Sequence, residues 1–333
     1  MVKKKIVIIG GGFSGAYSAK KLEKKFSVTL VDNKTFFEFT PSILRTLVKP
    51  SHAKKIQIKH ENYLKKTEVI FDEVIKVNSK FVLTKKNKKL YFDYLIIGSG
   101  SSYTLPIKEQ NSVLTNRAEH LVKYSNKVKK SKKILIVGGG LVGVELAAEL
   151  IDSYPHKEII LAQSGNKLIP RCTPKASFIV KNFFERNGVR LLFNTKINKF
   201  SNAKIKADLS FFCTGIKPNS SFIDKKMLDD RSFVKVNSYL QLIDYKNIFA
   251  VGDVNNVLVE KTAQNAEKQA RTAIKNILLK EKGKELLKHV NKKNPLVISL
   301  GKYNAVFTYN NIVLSGIIPA LMKKIIEWKS MLK

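Results

Sequence analysis

One stretch near the N-terminus limits what this chain can become: residues 6–32 read IVIIGGGFSGAYSAKKLEKKFSVTLVD. An apolar run, Ile6 to Ile9, gives way to Gly10, Gly12 and Gly15, then to helix formers, a second β-branched run from Val28 to Val31, and Asp32. The order is strand, glycine turn, helix, strand, acid. Gly10 permits the tight turn, Gly12 lets the backbone approach a pyrophosphate, and Gly15 lets helix and strand pack closely. Phosphates are expected at the helix N-terminus, where free N–H groups and the macrodipole favour anions. Asp32, 20 positions beyond Gly12, stands where a carboxylate accepts hydrogen bonds from a ribose diol. Glycine turns also join strands to helices with no ligand, but strand, helix and terminal acid together predict a dinucleotide site.

The pattern returns. Ile134 to Val137 form an apolar run, Gly138, Gly140 and Gly143 repeat the spacing 128 positions downstream, and Val144 to Leu150 begin a helix containing Glu145 and Glu149. A second apolar run follows at Ile159 to Ala162 and ends in Gln163, where the first copy has Asp32. Two such folds predict an enzyme that uses two nucleotides. An acid at this position favours NAD and a base favours NADP. Gln163 decides neither, and Lys167 and Arg171 lie close enough in sequence to help a 2′-phosphate, so NADH and NADPH both stay open.

Other stretches fill in the architecture. Short β-type runs at Val69 to Phe71, Phe81 to Leu83 and Leu90 to Phe92, separated by Asn/Lys turns, read as a small antiparallel meander. Residues 93–100, DYLIIGSG, read as a buried strand running into a small-residue turn containing Gly98. Residues 105–131 are polar and helical in character, as a connection between domains would be. Residues 207–218, ADLSFFCTGIKP, again run from strand into a glycine turn at Gly215. Residues 247–254, NIFAVGDV, deliver Gly252 and Asp253 to the C-terminal end of a strand, where ligands gather in open α/β sheets. A helix from Thr262 and Ala263 follows, its N-terminus facing the same place.

Length and composition fit this organisation. With 333 residues and 44% hydrophobic content, the chain can bury the cores of two or three domains and is not a disordered segment. The net charge of +35 is carried almost wholly by lysine, with only seven arginines. Such an excess suggests an anionic partner, yet lysines spread over every segment also describe a solvated surface. Cys172 and Cys213 are the two cysteines, which excludes a disulfide framework and points to a reducing compartment. No apolar signal segment and no long apolar run is visible, so a cytoplasmic chain is expected. The five histidines show no metal-ligand spacing, and no metal is expected.

Taken together, IIGGGFSG with Asp32, DYLIIGSG, IVGGGLVGVELAAEL, DLSFFCTGIKP and NIFAVGDV resemble the two-dinucleotide-binding flavoproteins, the pyridine nucleotide-disulfide oxidoreductase superfamily. The resemblance implies an α/β fold of two Rossmann-like domains in a glutathione-reductase-like arrangement, with FAD in the first fold and NADH or NADPH in the second. It places the first part of the FAD domain at residues 1–105, an inserted NAD(P)H domain at 106–240, the second part of the FAD domain at 241–288, and closing strands with an amphipathic helix at 289–333. By resemblance, FAD is held by Gly10, Gly12, Phe13, Ser14, Gly15, Asp32, Asn33, Lys34, Gly98, Gly252 and Asp253, the last at the ribitol, with Thr262 and Ala263 near its ring. The nicotinamide nucleotide is held by Gly138, Gly140, Leu141, Val142, Gly143, Glu145, Gln163 and Gly215.

Disulfide reductases of this superfamily carry a redox cysteine pair beside the flavin, and here no cysteine precedes Cys172. Electrons should leave the flavin for another acceptor. The chain is similar to ferroptosis-suppressor and apoptosis-inducing-factor-like proteins and to type II NADH dehydrogenases, which reduce quinones. The carriers of this likeness are FFEFTPSILRTLVKP after Asp32, the segment Lys261 to Gln264, and the C-terminal stretch 300–333; Lys268 before Gln269 departs from the dehydrogenases' AQxAxQ. The aromatics of residues 33–50 either pack over the flavin or join the core.

At 100° per residue, Ile317, Ile318, Leu321, Met322, Ile325, Ile326, Trp328 and Leu332 share one half of the last helix, opposite Lys323, Glu327 and Ser330. That face predicts docking either on the inner surface of a membrane or on protein, including a second copy of the chain. The expected reaction is NAD(P)H:quinone oxidoreduction through FAD, with Lys261 and Glu145 as catalytic residues that could pair. Alternatives are a soluble reductase of a small electron-carrier protein and a nucleic-acid-binding flavoprotein; without interleaved basic and aromatic residues, nucleic acid is not expected.

Overall fold

A computed structural model describes residues 3–103, 117–197 and 205–332. Its first sheet is parallel throughout, in the order Ile248–Ala250, Tyr94–Ile97, Lys5–Ile9, Ser27–Asp32, Thr67–Phe71. Its inner strands are continuous apolar runs because both faces are covered: Ile6 to Ile9 and Leu95 to Ile97 are all buried. Helices Phe13–Leu22 and Ala263–Lys280 pack together on one side. On the other side lies an antiparallel meander, Val74–Val77, Phe81–Thr84 and Lys89–Tyr91. Val74, Val82 and Leu90 join Val7, Ile9 and Leu95 in one cluster there, together with Ile223, Val234 and Leu242, which precede or straddle the expected return to the FAD domain at 241.

The meander differs from the sequence expectation in one strand. Thr67–Phe71 is not part of it; this strand pairs with Ser27–Asp32 as the parallel edge of the first sheet. A short β-branched run reads alike in either setting, and its partner lies some 40 positions upstream, beyond the reach of local pattern.

The second sheet is also parallel, ordered Arg190–Leu192, Glu158–Ala162, Lys133–Val137, Leu209–Phe212. The chain leaves the first sheet after Ile97, builds the second, and returns at Ile248–Ala250 beside the strand it left. Outgoing and returning segments are tied together by the antiparallel pair Ser101–Tyr103 and Ile216–Pro218. Asn219 adds to the tie: its side chain donates to the Ser99 carbonyl at 2.9 Å, and its own carbonyl accepts from the Ser99 hydroxyl at 2.7 Å. Of the expected connection at 105–131, helix Arg117–Lys130 is present, and residues 104–116 lie outside the described residues.

Residues 33–50 include a short strand, Phe36–Glu38, and a 3-10 helix, Thr40–Leu47. Phe37 and Phe39 are fully buried, and the Phe13 ring meets them edge-on at 5.0 and 5.7 Å between centroids. These aromatics belong to the core.

The chain closes with an antiparallel sheet, Leu296–Ser299, Ala305–Tyr309, Ile312–Gly316, followed by helix Ile317–Ser330. This helix is seated against the usual rule for amphipathic helices. Its buried residues are Pro319 and Ala320, while Ile318, Ile325 and Trp328 are 67%, 51% and 62% exposed. Its polar half points inward, where Lys323 and Glu327 find partners. Among the described residues no helix is long and apolar enough to cross a membrane.

Candidate active site

The two glycine turns are built alike, and their contacts give each glycine its reason. Gly10 takes φ +92° and Gly138 φ +109°, and a Cβ on either would strike a neighbouring strand end: the Gly98 carbonyl oxygen at 2.5 Å in the first fold and the Cys213 carbonyl oxygen at 2.5 Å in the second. A Cβ on Gly15 or Gly143 would lie 1.8 or 1.9 Å from the carbonyl oxygen of Gly10 or Gly138, so helix and turn touch backbone to backbone. Gly12 and Gly140 face open space, each as the N-cap of its helix with no capping side chain of its own. A helix start with no capping side chain and room beside it fits a pyrophosphate.

The first fold gathers the expected residues at the C-terminal ends of its strands. Ser14, buried in the first helical turn, lies between the turns of Gly98 and Gly252; a Cβ on those glycines would sit 2.9 and 3.2 Å from its hydroxyl. Asp253 accepts a hydrogen bond from Ser101 at 2.9 Å. The Gly252 N–H donates to the buried side chain of Gln269 at 2.7 Å, and Asn255 donates to the same oxygen at 2.7 Å, which braces the strand end carrying Asp253. Asn33 and Lys34 are half-buried just beyond Asp32, with the Lys34 ammonium 5.7 Å from the Phe36 ring centroid. Thr262 caps helix Ala263–Lys280 by accepting from Asn265 N–H at 3.3 Å.

In the second fold Gln163 is buried and folds back onto the glycine turn, accepting the Gly139 N–H at 2.9 Å. Leu141 and Val142 form the first helical turn, and Gly215 is a left-handed turn residue at φ +124°. Arg171 is paired with Glu260 at 3.2 Å on the surface, so its guanidinium already has an anionic partner. Burial raises both cysteine pKa values, that of Cys213 to about 12. Neither thiol is poised to ionise near neutral pH.

Lys261 and Glu145 are not paired with each other. The Lys261 ammonium donates to the carbonyls of Asn255 and Val257 at 2.6 and 3.2 Å and to Asn255 Oδ1 at 3.3 Å, with the Phe233 ring 5.2 Å away. Burial lowers its pKa to about 8, against the opposing pull of Asp253. Glu145 accepts the Ser299 N–H at 3.0 Å and the ammonium of Lys323 from the last helix. Sequence spacing could not reveal this partner, because 178 positions separate the two residues.

Glu145 borders a cavity between the two folds, lined by Pro41, Ser42, Arg45, Ser299 and Lys323. Arg45 grips Glu149 in two-pronged fashion, at 2.8 to 3.2 Å. Glu327 accepts from the Ser42 hydroxyl and comes within 3.9 Å of His52 Nε2, whose pKa burial lowers.

Two parallel sheets, each with a glycine turn opening onto a bare helix N-terminus, define a protein that binds two dinucleotides. The chain belongs to the pyridine nucleotide-disulphide oxidoreductase family, which it matches over residues 4–270. It is therefore an NAD(P)H-dependent flavoprotein oxidoreductase with FAD and a nicotinamide nucleotide as cofactors. It is 32% identical to apoptosis-inducing factor homolog B of Dictyostelium discoideum, over 91% of this chain and 89% of that one. It is 30% identical to ferroptosis suppressor protein 1 of Xenopus laevis, over 92% and 88%. Its fold is that of NDH2 from Plasmodium falciparum solved with NADH, with a TM-score of 0.81 at 18% identity, covering 99% of this chain and 95% of that one.

Proposed function

We propose that this protein is an NAD(P)H:quinone oxidoreductase working at a membrane surface. The observation that carries the reading is the orientation of the last helix. Ile317, Ile318, Leu321, Ile325 and Trp328 face outward, while on its inner side Lys323 lines the cavity between the folds and Glu327 a second cavity that shares Ser42, Arg45, Ser299 and Lys323 with it. An apolar surface beside that cavity suits an acceptor dissolved in lipid. Lysine-rich surroundings favour an anionic leaflet, each nearby lysine contributing about 1 kcal/mol. The likeness to type II NADH dehydrogenases and the absence of a reactive thiol support the same acceptor class.

In this reading the first helix N-terminus, Asp32 and Asp253 hold FAD at its pyrophosphate, adenosine ribose and ribitol, and the second helix N-terminus holds NAD(P)H. FAD, when bound, supplies a centre that takes up a hydride and passes on two electrons. Glu145 fixes the nicotinamide side of the junction, and Lys261 supplies charge or a proton beside Asp253. With a lysine pKa of about 8, the protonated form is lost as pH rises through that value. Quinone reduction should therefore fall between pH 7 and 9, and Lys261→Met should flatten that limb; a profile unchanged by the substitution removes Lys261 from proton supply.

The membrane part is tested on the triple variant Ile318→Ser, Leu321→Ser, Ile325→Ser, whose sites are all exposed. Flotation with vesicles containing phosphatidylglycerol should weaken at least ~100-fold, since each buried Leu or Ile is worth about 1.5–3 kcal/mol. Reduction of a long-chain quinone should fall, with ferricyanide reduction unchanged. Unaltered vesicle binding and quinone turnover would sink this reading. Dimer dissociation on substitution would assign the face to a second copy instead, and faster reduction of a rubredoxin-type carrier than of any quinone would favour the soluble reductase.

A further inference from the structure

The expected role of Asp32 rests on sequence position, but the structure adds a residue that sequence spacing does not predict. The hairpin of Phe36–Glu38 with Gln57–Lys59 turns the chain back toward the first sheet, and the His60 N–H bonds the Thr35 carbonyl at 2.9 Å. This delivers the His60 ring to Asp32, with Nε2 3.0 Å from Oδ2. On its other side Nδ1 lies 2.6 Å from the Tyr63 hydroxyl. His60 and Tyr63 are 1% and 4% exposed, and Asp32 6%. A Cβ added to Gly11 would lie 2.4 Å from Asp32 Oδ2 and 2.4 Å from the His60 ring, so the pair is packed directly against the glycine turn.

The chemistry fixes the direction of the chain of hydrogen bonds. A carboxylate can only accept, so Nε2–H donates to Asp32. Nδ1 then accepts from Tyr63, whose hydroxyl is kept protonated by burial, with the charge of Asp32 acting the same way. One carboxylate oxygen is thereby occupied and the plane of the group is set. Among the described residues no hydrogen-bond donor meets the other oxygen, Oδ1, which leaves it to accept from a diol.

We infer that His60 is a positioning residue for the flavin: it orients the Asp32 carboxylate toward the adenosine ribose of FAD. The inference rests on the assignment of FAD to the first fold. A buried carboxylate that loses its donor is free to swing out of the plane the ribose needs, and its hydrogen bonds to the ribose weaken.

The test is flavin release from holoprotein, read as the return of flavin fluorescence after dilution. It is made with FAD and with an FAD analogue whose adenosine ribose lacks both the 2′- and 3′-hydroxyl groups. His60→Leu should release FAD about tenfold faster than the native chain, as expected for a lost charge-assisted bond. It should release the analogue at the native rate, because the contact that His60 supports is already gone. His60→Gln, which keeps a donor, should restore slow FAD release, and it carries the test should the leucine variant fail to fold. Equal acceleration for both flavins, or a glutamine variant as fast as the leucine one, would overturn the inference and leave His60 a packing residue. Failure of the native chain to distinguish the two flavins would overturn the placement of the FAD ribose at Asp32 itself.

Discussion

Protein carrying Gly15→Ala should purify colourless, whereas Gly143→Ala should purify yellow and resist bleaching by NADH under anaerobic conditions. In both positions the added methyl would lie under 2 Å from a carbonyl oxygen of the preceding turn, 1.8 Å at Gly15 and 1.9 Å at Gly143. No rotamer change relieves a Cβ that meets backbone, so the helix must move away from its turn. Displacement of this kind costs about 1–3 kcal/mol or more, and it pulls the N–H groups of the first helical turn off the phosphates they would bind. The damage is confined to one fold because each glycine touches only its own strand, turn and helix. Flavin absorbance, flavin-to-protein ratio and an anaerobic NADH titration separate the two outcomes. Full flavin in Gly15→Ala would contradict the placement of FAD in the first fold; bleaching of Gly143→Ala at native NADH concentrations would contradict the placement of NAD(P)H in the second.

The second large effect concerns the join between the folds. Glu149→Ala should lower stability by about 3–5 kcal/mol, seen as a fall in the melting temperature followed by flavin fluorescence. Glu149 lies on the helix of the second glycine turn and Arg45 on the 3-10 helix after the first fold's second strand; their side chains are 8% and 24% exposed. Burial alone would depress the Arg45 pKa, yet the hydrogen bonds and charge of Glu149 more than offset it and the value is raised. Removing the carboxylate leaves the guanidinium buried without its partner, which is why the loss exceeds that of an exposed ion pair. The double variant Arg45→Met, Glu149→Leu should recover most of the stability, since no charge is then stranded. A single variant within 1 kcal/mol of native would show that the pair does not hold the folds together.

How much of this was legible beforehand follows from the range of each interaction. The glycine turns, their strands and their helices are local patterns of about 30 residues, and the same physics that makes them readable makes them fold: close backbone approach admits only glycine. The insertion of one fold in the other was implied only by the family resemblance that these motifs carry. The run Val69 to Phe71, expected in the meander, belongs to the first sheet instead, because a parallel partner is distant and leaves no local trace.

The sites divide in the same way. Gly12 and Gly140 open their helices, and Asp32 and Asp253 lie at or just beyond the C-terminal ends of their strands. The partners that decide their chemistry do not follow from spacing: His60 on Asp32, Gln269 behind Gly252, Lys323 on Glu145, and Glu149 on Arg45 across 104 positions. The proposed pairing of Lys261 with Glu145 gave way to separate partners, because each side chain is satisfied by its own surroundings.

The sequence by itself determined two dinucleotide folds, their order, and an amphipathic last helix, all properties of contiguous residues whose periodicity and glycine spacing are set by backbone sterics. The tertiary structure alone decided which half of that helix faces the protein. A helix normally buries its apolar stripe, but here Lys323 and Glu327 find Glu145 and Ser42 across the junction, and those partners turn the polar half inward and leave isoleucines and Trp328 exposed.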